Sequence, residues 1–159
     1  MPRQLDLIAV ALAFAACAPA PITIQRTATP AIIVVPTVVP NGRVEIAIQP
    51  RYVLGQPARI EVTMVATRGT ITGPTQARVM ATGINEGGAP AEILVRQLDA
   101  TAATSTRDRR ATTFVTWNGN DEVGVRVPAD AYVLLLEFES KDGDSTRTVR
   151  ATATLEMND

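Results

Sequence analysis

The sequence is short of the side chains on which most enzymes and metal proteins depend. Its 159 residues include no histidine and one cysteine, Cys17. Without histidine, the chain lacks the commonest general base and the commonest ligand of transition metals. A lone cysteine excludes an intramolecular disulfide and a thiolate metal cluster within the chain. None of the three serines, Ser105, Ser140 and Ser145, lies in a nucleophile-elbow motif. We therefore expect no enzymatic activity, no catalytic residue and no metal cofactor.

The net charge is also small, and aromatic side chains are few. The 15 Lys and Arg residues nearly balance 16 Asp and Glu residues, which leaves a formal net charge of −1. Such a chain gives no reason to expect nucleic acid or an acidic polymer as its partner. Aromatic residues make up only 4% of a chain that is 46% hydrophobic. The core must therefore be built mainly from Val, Ile, Leu and Ala.

The first 17 residues have the pattern of a targeting segment. Arg3 precedes an apolar run of ten residues, from Leu7 to Ala16, which ends at Cys17. As a helix this run would be about 15 Å long, half of the roughly 30 Å needed to cross a bilayer core. The length favours a signal peptide over a membrane span.

Two small residues, Ala15 and Ala16, directly precede Cys17, and this arrangement resembles the lipobox of bacterial lipoproteins. The resemblance implies that Cys17 receives diacylglycerol, is acylated (for example with palmitate) and becomes the mature N-terminus. It also implies anchoring to a membrane on the extracytoplasmic face of a bacterial envelope. Ordinary secretion with cleavage nearby, an uncleaved anchor, and a structural cysteine in a buried helix are the alternatives.

Residues 18–42 are rich in proline and threonine, with prolines at 19, 21, 30, 36 and 40. Because proline fixes φ and donates no backbone hydrogen bond, this stretch should be extended and semi-rigid. The expected role is a tether that holds a domain away from the membrane, and a leader with no spacing role is the alternative. Residues 31–35 could also dock as an edge strand between the flanking prolines.

Residues 43–159 alternate between apolar and polar positions with a period near two, the pattern of half-buried strands. The pattern predicts about seven strands, near residues 43–48, 59–64, 77–81, 91–98, 112–117, 132–139 and 149–157. Turn signals separate them, including one at residues 72–74, and residues 99–110 should form a long polar loop. This indicates an all-β chain with a single Ig-like or fibronectin-III-like β-sandwich.

The most distinctive motif runs from Thr116 to Tyr132 and contains the only tryptophan. Its skeleton is W-x-G-x-D-x-x-G-x-x-V-P-x-x-x-Y, which places the structural signature at Trp117, Gly119, Asp121, Gly124, Pro128 and Tyr132. The motif resembles the Ig-like domain of the flagellar hook-capping family, which usually has glycine where this chain has Asp130. The resemblance implies a scaffold or binding module, since sandwiches of this kind host many functions.

Two aromatic residues of the motif have expected structural roles. Tyr132, near the start of the penultimate strand, resembles a tyrosine corner, whose hydroxyl bonds to backbone a few residues upstream. Trp117 is expected in the core, across from the apolar face that begins at Tyr132. The alternative is an exposed indole that stacks against a carbohydrate.

Two polar clusters are candidates for binding. Asn118, Asn120 and Asp121, followed by Glu122, offer closely spaced oxygens that could suit Ca²⁺, but their spacing is incomplete for an EF-type loop. Turn formation is the preferred interpretation of this cluster. The basic segment 107–110 could contact anionic headgroups or an acidic protein surface. A solvated loop is the simpler interpretation.

The sequence as a whole predicts a lipid-anchored envelope protein with a non-catalytic Ig-like module. Such a protein would be a structural or accessory subunit of a membrane-associated assembly, with another envelope protein as its partner. A glycan- or solute-binding lipoprotein is the alternative function, and it depends on an accessible Trp117.

Overall fold

The computed structural model describes residues 31–84 and 86–159. This part of the chain contains ten strands and no helix: β1 (Ile33–Val39), β2 (Gly42–Ile48), β3 (Tyr52–Val53), β4 (Ala58–Ala66), β5 (Thr70–Ile84), β6 (Pro90–Leu98), β7 (Ala103–Thr106), β8 (Ala111–Trp117), β9 (Ala131–Asp142) and β10 (Ser145–Asn158). The prediction of an all-β, Ig-like sandwich is confirmed. Among the described residues, none belongs to a helix that could cross a membrane. Cys17 and the predicted signal segment 1–17 lie outside the described residues.

The strands form two sheets. The first has the order β1-β2-β4-β8, and all of its neighbours are antiparallel. The second has the order β3-β10-β9-β5-β6, with β7 also paired to β5. Only the short contact between β3 and β10 is parallel. Among the described strands, the edges are therefore β1 and β8 in the first sheet, and β3 on one side and β6 with β7 on the other side of the second.

The core lies between the sheets and follows the period-two pattern of the sequence. The inward positions of β2, β4, β9 and β10 are aliphatic and almost fully buried, as at Ile46, Val62, Leu136 and Leu155. Each such side chain contributes about 1.5–3 kcal/mol by leaving water. Trp117 and Phe138 are the largest fully buried side chains among the described residues.

Strand β1 extends the sandwich into the stretch that was predicted as a tether. Ile33–Val39 lies within residues 18–42 and pairs with β2 along its whole length, from Ile33 opposite Ile48 to Val39 opposite Gly42. Pro36 is compatible with this pairing because β1 is an edge strand, where one side of the backbone needs no partner. The strand that residues 31–35 could have formed is therefore present, and the remainder of the predicted tether, residues 18–30, lies outside the described residues.

Three further strands differ from the predicted pattern. β3 and β7 are too short to show a period, and β7 lies inside the polar segment 99–110 that was predicted as a loop. β5 has 15 residues and continues through the turn predicted at residues 72–74, where its pairing with β9 shifts register. A bulge of this kind keeps a strand continuous although its local sequence has turn residues. The described part of the chain therefore has ten strands and not about seven.

The two ends of the sandwich differ in what they contain. One end, here termed the entry end, contains the start of β1 and the connection from β8 to β9, residues 118–130. The far end holds four tight connections: residues 40–41, 67–69, 107–110 and 143–144. β1 therefore begins at the same end of the sandwich as the signature motif, although β1 and β8 are at opposite edges of the first sheet.

A buried asparagine joins the two sheets at the far end. Asn41 is 1% exposed, and its Nδ2 donates hydrogen bonds to the carbonyl oxygens of Thr70 (2.7 Å) and Lys141 (3.2 Å). Its Oδ1 accepts a hydrogen bond from the hydroxyl of Ser140. Its backbone oxygen accepts one from Thr67 N (2.8 Å). Asn41 thus links the β1–β2 turn to β5 and β9, a role that its place in the predicted tether gave no sign of.

Candidate functional site

Trp117 closes β8 at the entry end and is part of the core. Its side chain is 1% exposed, and the indole Nε1 donates a hydrogen bond to the carbonyl oxygen of Asn120 at 2.8 Å. The ring lies edge-on to Tyr132, with centroids 5.2 Å apart and planes at 71°. An edge-to-face pair of this kind is favourable beyond the area it buries. The buried indole cannot be the carbohydrate platform on which the glycan-binding alternative depends.

Tyr132 makes the hydrogen bond that defines a tyrosine corner. Its hydroxyl donates to the carbonyl oxygen of Pro128 at 2.9 Å, and its side chain is 3% exposed. Burial raises the pKa of Tyr132 above the ordinary 10.0, and the nearby negative charge of Asp130 raises it further. The hydroxyl therefore stays protonated at neutral pH and fixes the connection that precedes β9.

The candidate calcium ligands bind the backbone of their own turn. Asn118 Oδ1 accepts a hydrogen bond from Asn120 N at 3.1 Å. Asp121 Oδ1 accepts from Val123 N (3.0 Å) and Val125 N (2.8 Å). Across the described ranges, 31–84 and 86–159, no three Cys, Asp or Glu side chains converge as a metal site would require. The geometry is that of an Asx-type turn, in which the side-chain oxygens satisfy backbone amides.

The signature glycines have backbone angles that other residues rarely adopt. Gly119 has φ of +74° and Gly124 has φ of +85°, and both values lie in the left-handed region that glycine reaches at no steric cost. By contrast, none of the described non-glycine residues has a positive φ, so Asp130 does not need the glycine of the resembling family. Asp130 instead caps its own turn, since its Oδ1 accepts a hydrogen bond from Ala131 N at 2.7 Å.

The connection from β8 to β9, residues 118–130, is here termed the signature connection. It also packs against β6, an edge strand of the second sheet. Glu122 N donates a hydrogen bond to the carbonyl oxygen of Val95 at 3.0 Å, and Gln97 N donates to the Glu122 carboxylate. Arg96 donates to the carbonyl oxygen of Asp121. These contacts join residues 25 to 27 positions apart and connect the segment after β8 of the first sheet to β6 of the second. No local pattern in either segment indicates them.

Docking of this connection leaves a cleft between it and β6. The cleft has a volume of about 560 Å³ and is lined mainly by apolar side chains, together with Asp121, Glu122, Asp130 and Arg126. Three of the apolar residues are well exposed: Val123 (81%), Val125 (60%) and Leu94 (47%). Exposed apolar side chains that cluster in this way are typical of an interaction surface. The cleft was not foreseen, because its two walls are far apart in sequence.

Other polar residues of the domain serve the fold or are exposed. Ser105 is fully buried, and its Oγ accepts a hydrogen bond from Ala66 N at 3.0 Å. Glu137 is also buried, and its Oε1 accepts from Arg78 (2.7 Å) and Arg150 (3.0 Å). The basic segment 107–110 is exposed at the far end, where Thr106 N donates to Arg109 O (2.9 Å) to close the turn.

Comparisons with known proteins give little further guidance. No protein-family model matches the sequence, and no curated protein matches it. Among solved structures, the chain is similar to the crystal structure of AggA, the major subunit of aggregative adherence fimbriae type I from Escherichia coli. The two are 13% identical with a TM-score of 0.35, and the match covers 72% of this chain and 92% of that one. A likeness at this level does not carry an argument about function.

Proposed function

We propose that this protein is a lipid-anchored component of a bacterial envelope, with its Ig-like domain acting as a non-catalytic structural or accessory subunit of a membrane-associated assembly. The proposal rests on the hydrogen bonds that the signature residues make. Trp117 Nε1, the Asp121 carboxylate and the Tyr132 hydroxyl all bind backbone groups of the domain itself. The most distinctive residues therefore build a rigid scaffold, and the surface next to them includes exposed apolar side chains, Val123 and Val125, together with charged ones.

The proposed anchor is Cys17, at the end of the ten-residue apolar run and directly after Ala15 and Ala16. The domain begins at Ile33, so residues 18–32 would separate it from the membrane. Fifteen residues in an extended, proline-rich conformation would span about 46 Å at roughly 3.1 Å per residue. The entry end would then face the membrane across this gap, and the far end, with the basic segment 107–110, would face away.

Intact-mass measurement of the protein extracted from its native membranes tests the anchor. We expect a mass that lacks residues 1–16 and carries added diacylglycerol and acyl groups. A matched Cys17→Ser variant should keep its N-terminal segment and gain no lipid mass, because serine offers no thiol. A mature protein with a free thiol at Cys17 would contradict lipid anchoring.

A further inference from the structure

Strand β6 is an edge strand whose outer side is only partly covered by the rest of the domain. It pairs with β5 on one side, and within residues 31–84 and 86–159 no other strand continues the sheet beyond it. At Val95 and Gln97 its outer side is already occupied by the hydrogen bonds to Glu122. The segment from Pro90 to Leu94 has no such cover from the signature connection. An edge of this kind is a template for pairing with another chain.

The uncovered edge has a defined length. Five residues of strand span roughly 17 Å. Beyond them, the docked signature connection blocks further pairing, and Pro90 marks the beginning of the strand. A partner strand at this edge would therefore be short, and its position along β6 would be set by contact with residues 122–125.

Natural edge strands are usually protected by charge, by proline or by a cover, and this one presents apolar side chains. Ile93 is 50% exposed and Leu94 is 47% exposed, and Leu94 borders the apolar cleft. Val123 and Val125 stand on the opposite wall and are exposed as well. A strand added to β6 would bury these side chains, and its own alternate residues could enter the cleft.

The charges around this edge define what kind of strand would fit. Asp121, Glu122 and Asp130 line the cleft, and Glu92 is exposed on β6 itself. Of the described residues, one cation lines the cleft, Arg126, and it extends toward Gly55, since a Cβ built on that glycine would lie 2.7 Å from an Arg126 guanidinium nitrogen. The excess of carboxylates favours a basic partner.

We propose that the Pro90–Leu94 edge and its cleft bind a short extended segment of a partner protein, in which β-branched apolar residues alternate with polar ones and lysine or arginine flanks them. This inference rests on the proposed accessory function and names the site through which the assembly would form. A second copy of the chain fits less well, because two-fold pairing at this edge would bring the same carboxylates together. An anionic membrane would be repelled by the same groups.

The test uses the full chain in mild detergent and a capped, dye-labelled peptide of about seven residues with the sequence Lys-Val-Thr-Val-Thr-Val-Lys. Fluorescence anisotropy measures its affinity, and amide chemical shifts of the nitrogen-15-labelled chain locate it. We expect saturable binding that weakens as salt is added, with shifts at residues 90–97 and 122–127. A peptide with glutamate in place of both lysines should bind roughly tenfold more weakly or not at all.

Two variants of matched chemistry make the test specific. Leu94→Lys removes an exposed apolar contact and adds repulsion, so the affinity for the basic peptide should fall roughly tenfold or more. Thr152→Lys adds the same charge at an exposed position of β10, away from the cleft, and should change the affinity by less than about twofold. Both positions are exposed enough for the variants to fold, which the dispersion of the amide spectrum would verify.

Several outcomes would overturn the proposal. Absence of binding, equal loss in both variants, or shifts centred away from β6 would each contradict it. So would a dimer in sedimentation that Leu94→Lys disrupts, which would assign the edge to a second copy. Binding to phosphatidylglycerol vesicles that needs Val123 would assign it to a membrane. A chain that carries lipid on Cys17 but ignores the peptide would overturn this inference alone, and a chain that binds the peptide without the lipid would overturn only the anchor.

Discussion

At the entry end of the sandwich, the sheets are joined by Trp117 of β8 packed edge-on against Tyr132 of β9, whereas at the far end they are joined by the amide of Asn41. The first joint is stabilised mainly by burial of large apolar area, with one hydrogen bond from each ring. The second depends on directional hydrogen bonds to three partners on β5 and β9. The two sheets are thus joined by apolar packing at the entry end and by hydrogen bonds at the far end.

The difference between the joints decides how each should respond to substitution. An apolar joint loses stability in proportion to the volume removed, because the cavity fills only partly. A buried polar joint loses stability when a partner is left without a hydrogen bond, even if little volume changes. The two joints should therefore respond differently to alanine substitution.

Trp117→Ala should have the largest effect, a loss of about 3–5 kcal/mol in the free energy of unfolding. The variant removes the indole, its bond to Asn120 and its contact with Tyr132. Urea denaturation followed by circular dichroism measures the change. The matched control is Phe114→Ala on the same strand, where the ring is 42% exposed and the loss should be clearly smaller. Equal losses for both variants would show that Trp117 does not join the sheets.

Asn41→Ala should follow, with a loss of roughly 2–3 kcal/mol, because it removes the donor to the carbonyl oxygens of Thr70 and Lys141 and leaves the buried Ser140 hydroxyl without its acceptor. The same denaturation experiment measures it. Asn158→Ala, at an exposed position near the C-terminus, is the control and should change stability by no more than about 0.5 kcal/mol. If Asn41→Ala were as stable as that control, the far end would be held by packing alone.

Tyr132→Phe should cost about 0.5–1.5 kcal/mol at neutral pH, the net value of one hydrogen bond. Burial raises the pKa of Tyr132 in the folded protein, so the neutral hydroxyl is favoured by folding. This contribution is fully present below pH 10, the ordinary pKa, and is lost as the pH rises through the higher folded-state value.

The alkaline limb of the stability curve checks this pH dependence. Wild-type protein should lose stability above about pH 10 more steeply than Tyr132→Phe. Tyr52 is a useful comparison, because burial raises its pKa as well, although its hydroxyl accepts a hydrogen bond from Gln49 N at 2.9 Å. Tyr52→Phe should also flatten the alkaline limb. Unchanged slopes in both variants would contradict the assigned shifts.

The addition of calcium should have the smallest effect of all, and we expect no measurable change in the Tm of the protein. The Asn118 and Asp121 oxygens already accept backbone hydrogen bonds, so a bound ion would have to replace them. A site with a Kd of about 0.1 mM would add roughly 2.3 kcal/mol of stability at about 5 mM calcium. Differential scanning calorimetry with magnesium as the control would detect this easily. A calcium-specific rise in Tm would restore the metal interpretation of the turn.

The sequence was informative where a feature repeats locally or depends on a rare residue type. Period-two alternation in segments such as Val44–Ile48 and Leu134–Phe138 predicted the inward faces, which are buried. The single tryptophan was expected in the core, across from the apolar face that begins at Tyr132, and its ring is buried there against Tyr132. Glycines in the signature motif indicated a turn, and their positive φ angles give the reason.

The features that the sequence did not predict depend on contacts between residues far apart in the chain. No local sequence pattern indicates such contacts. Asn41 reaches Ser140 across 99 residues, and it lies in a segment whose prolines suggest a tether. β7 has too few apolar residues to show a period, and it forms because β5 offers an open edge at Thr70–Gly73. The cleft exists only because Glu122 docks on Val95. Each of these features follows from the assembled sandwich.

The central claim is that the signature motif is a buried structural joint and not a ligand platform, and Trp117 fluorescence tests it most directly. Because the chain has one tryptophan, all indole emission comes from this position. We expect blue-shifted emission, weak quenching by iodide, and a red shift with strong quenching only when urea unfolds the protein. Emission near that of free indole, with ready quenching in the folded protein, would contradict the account.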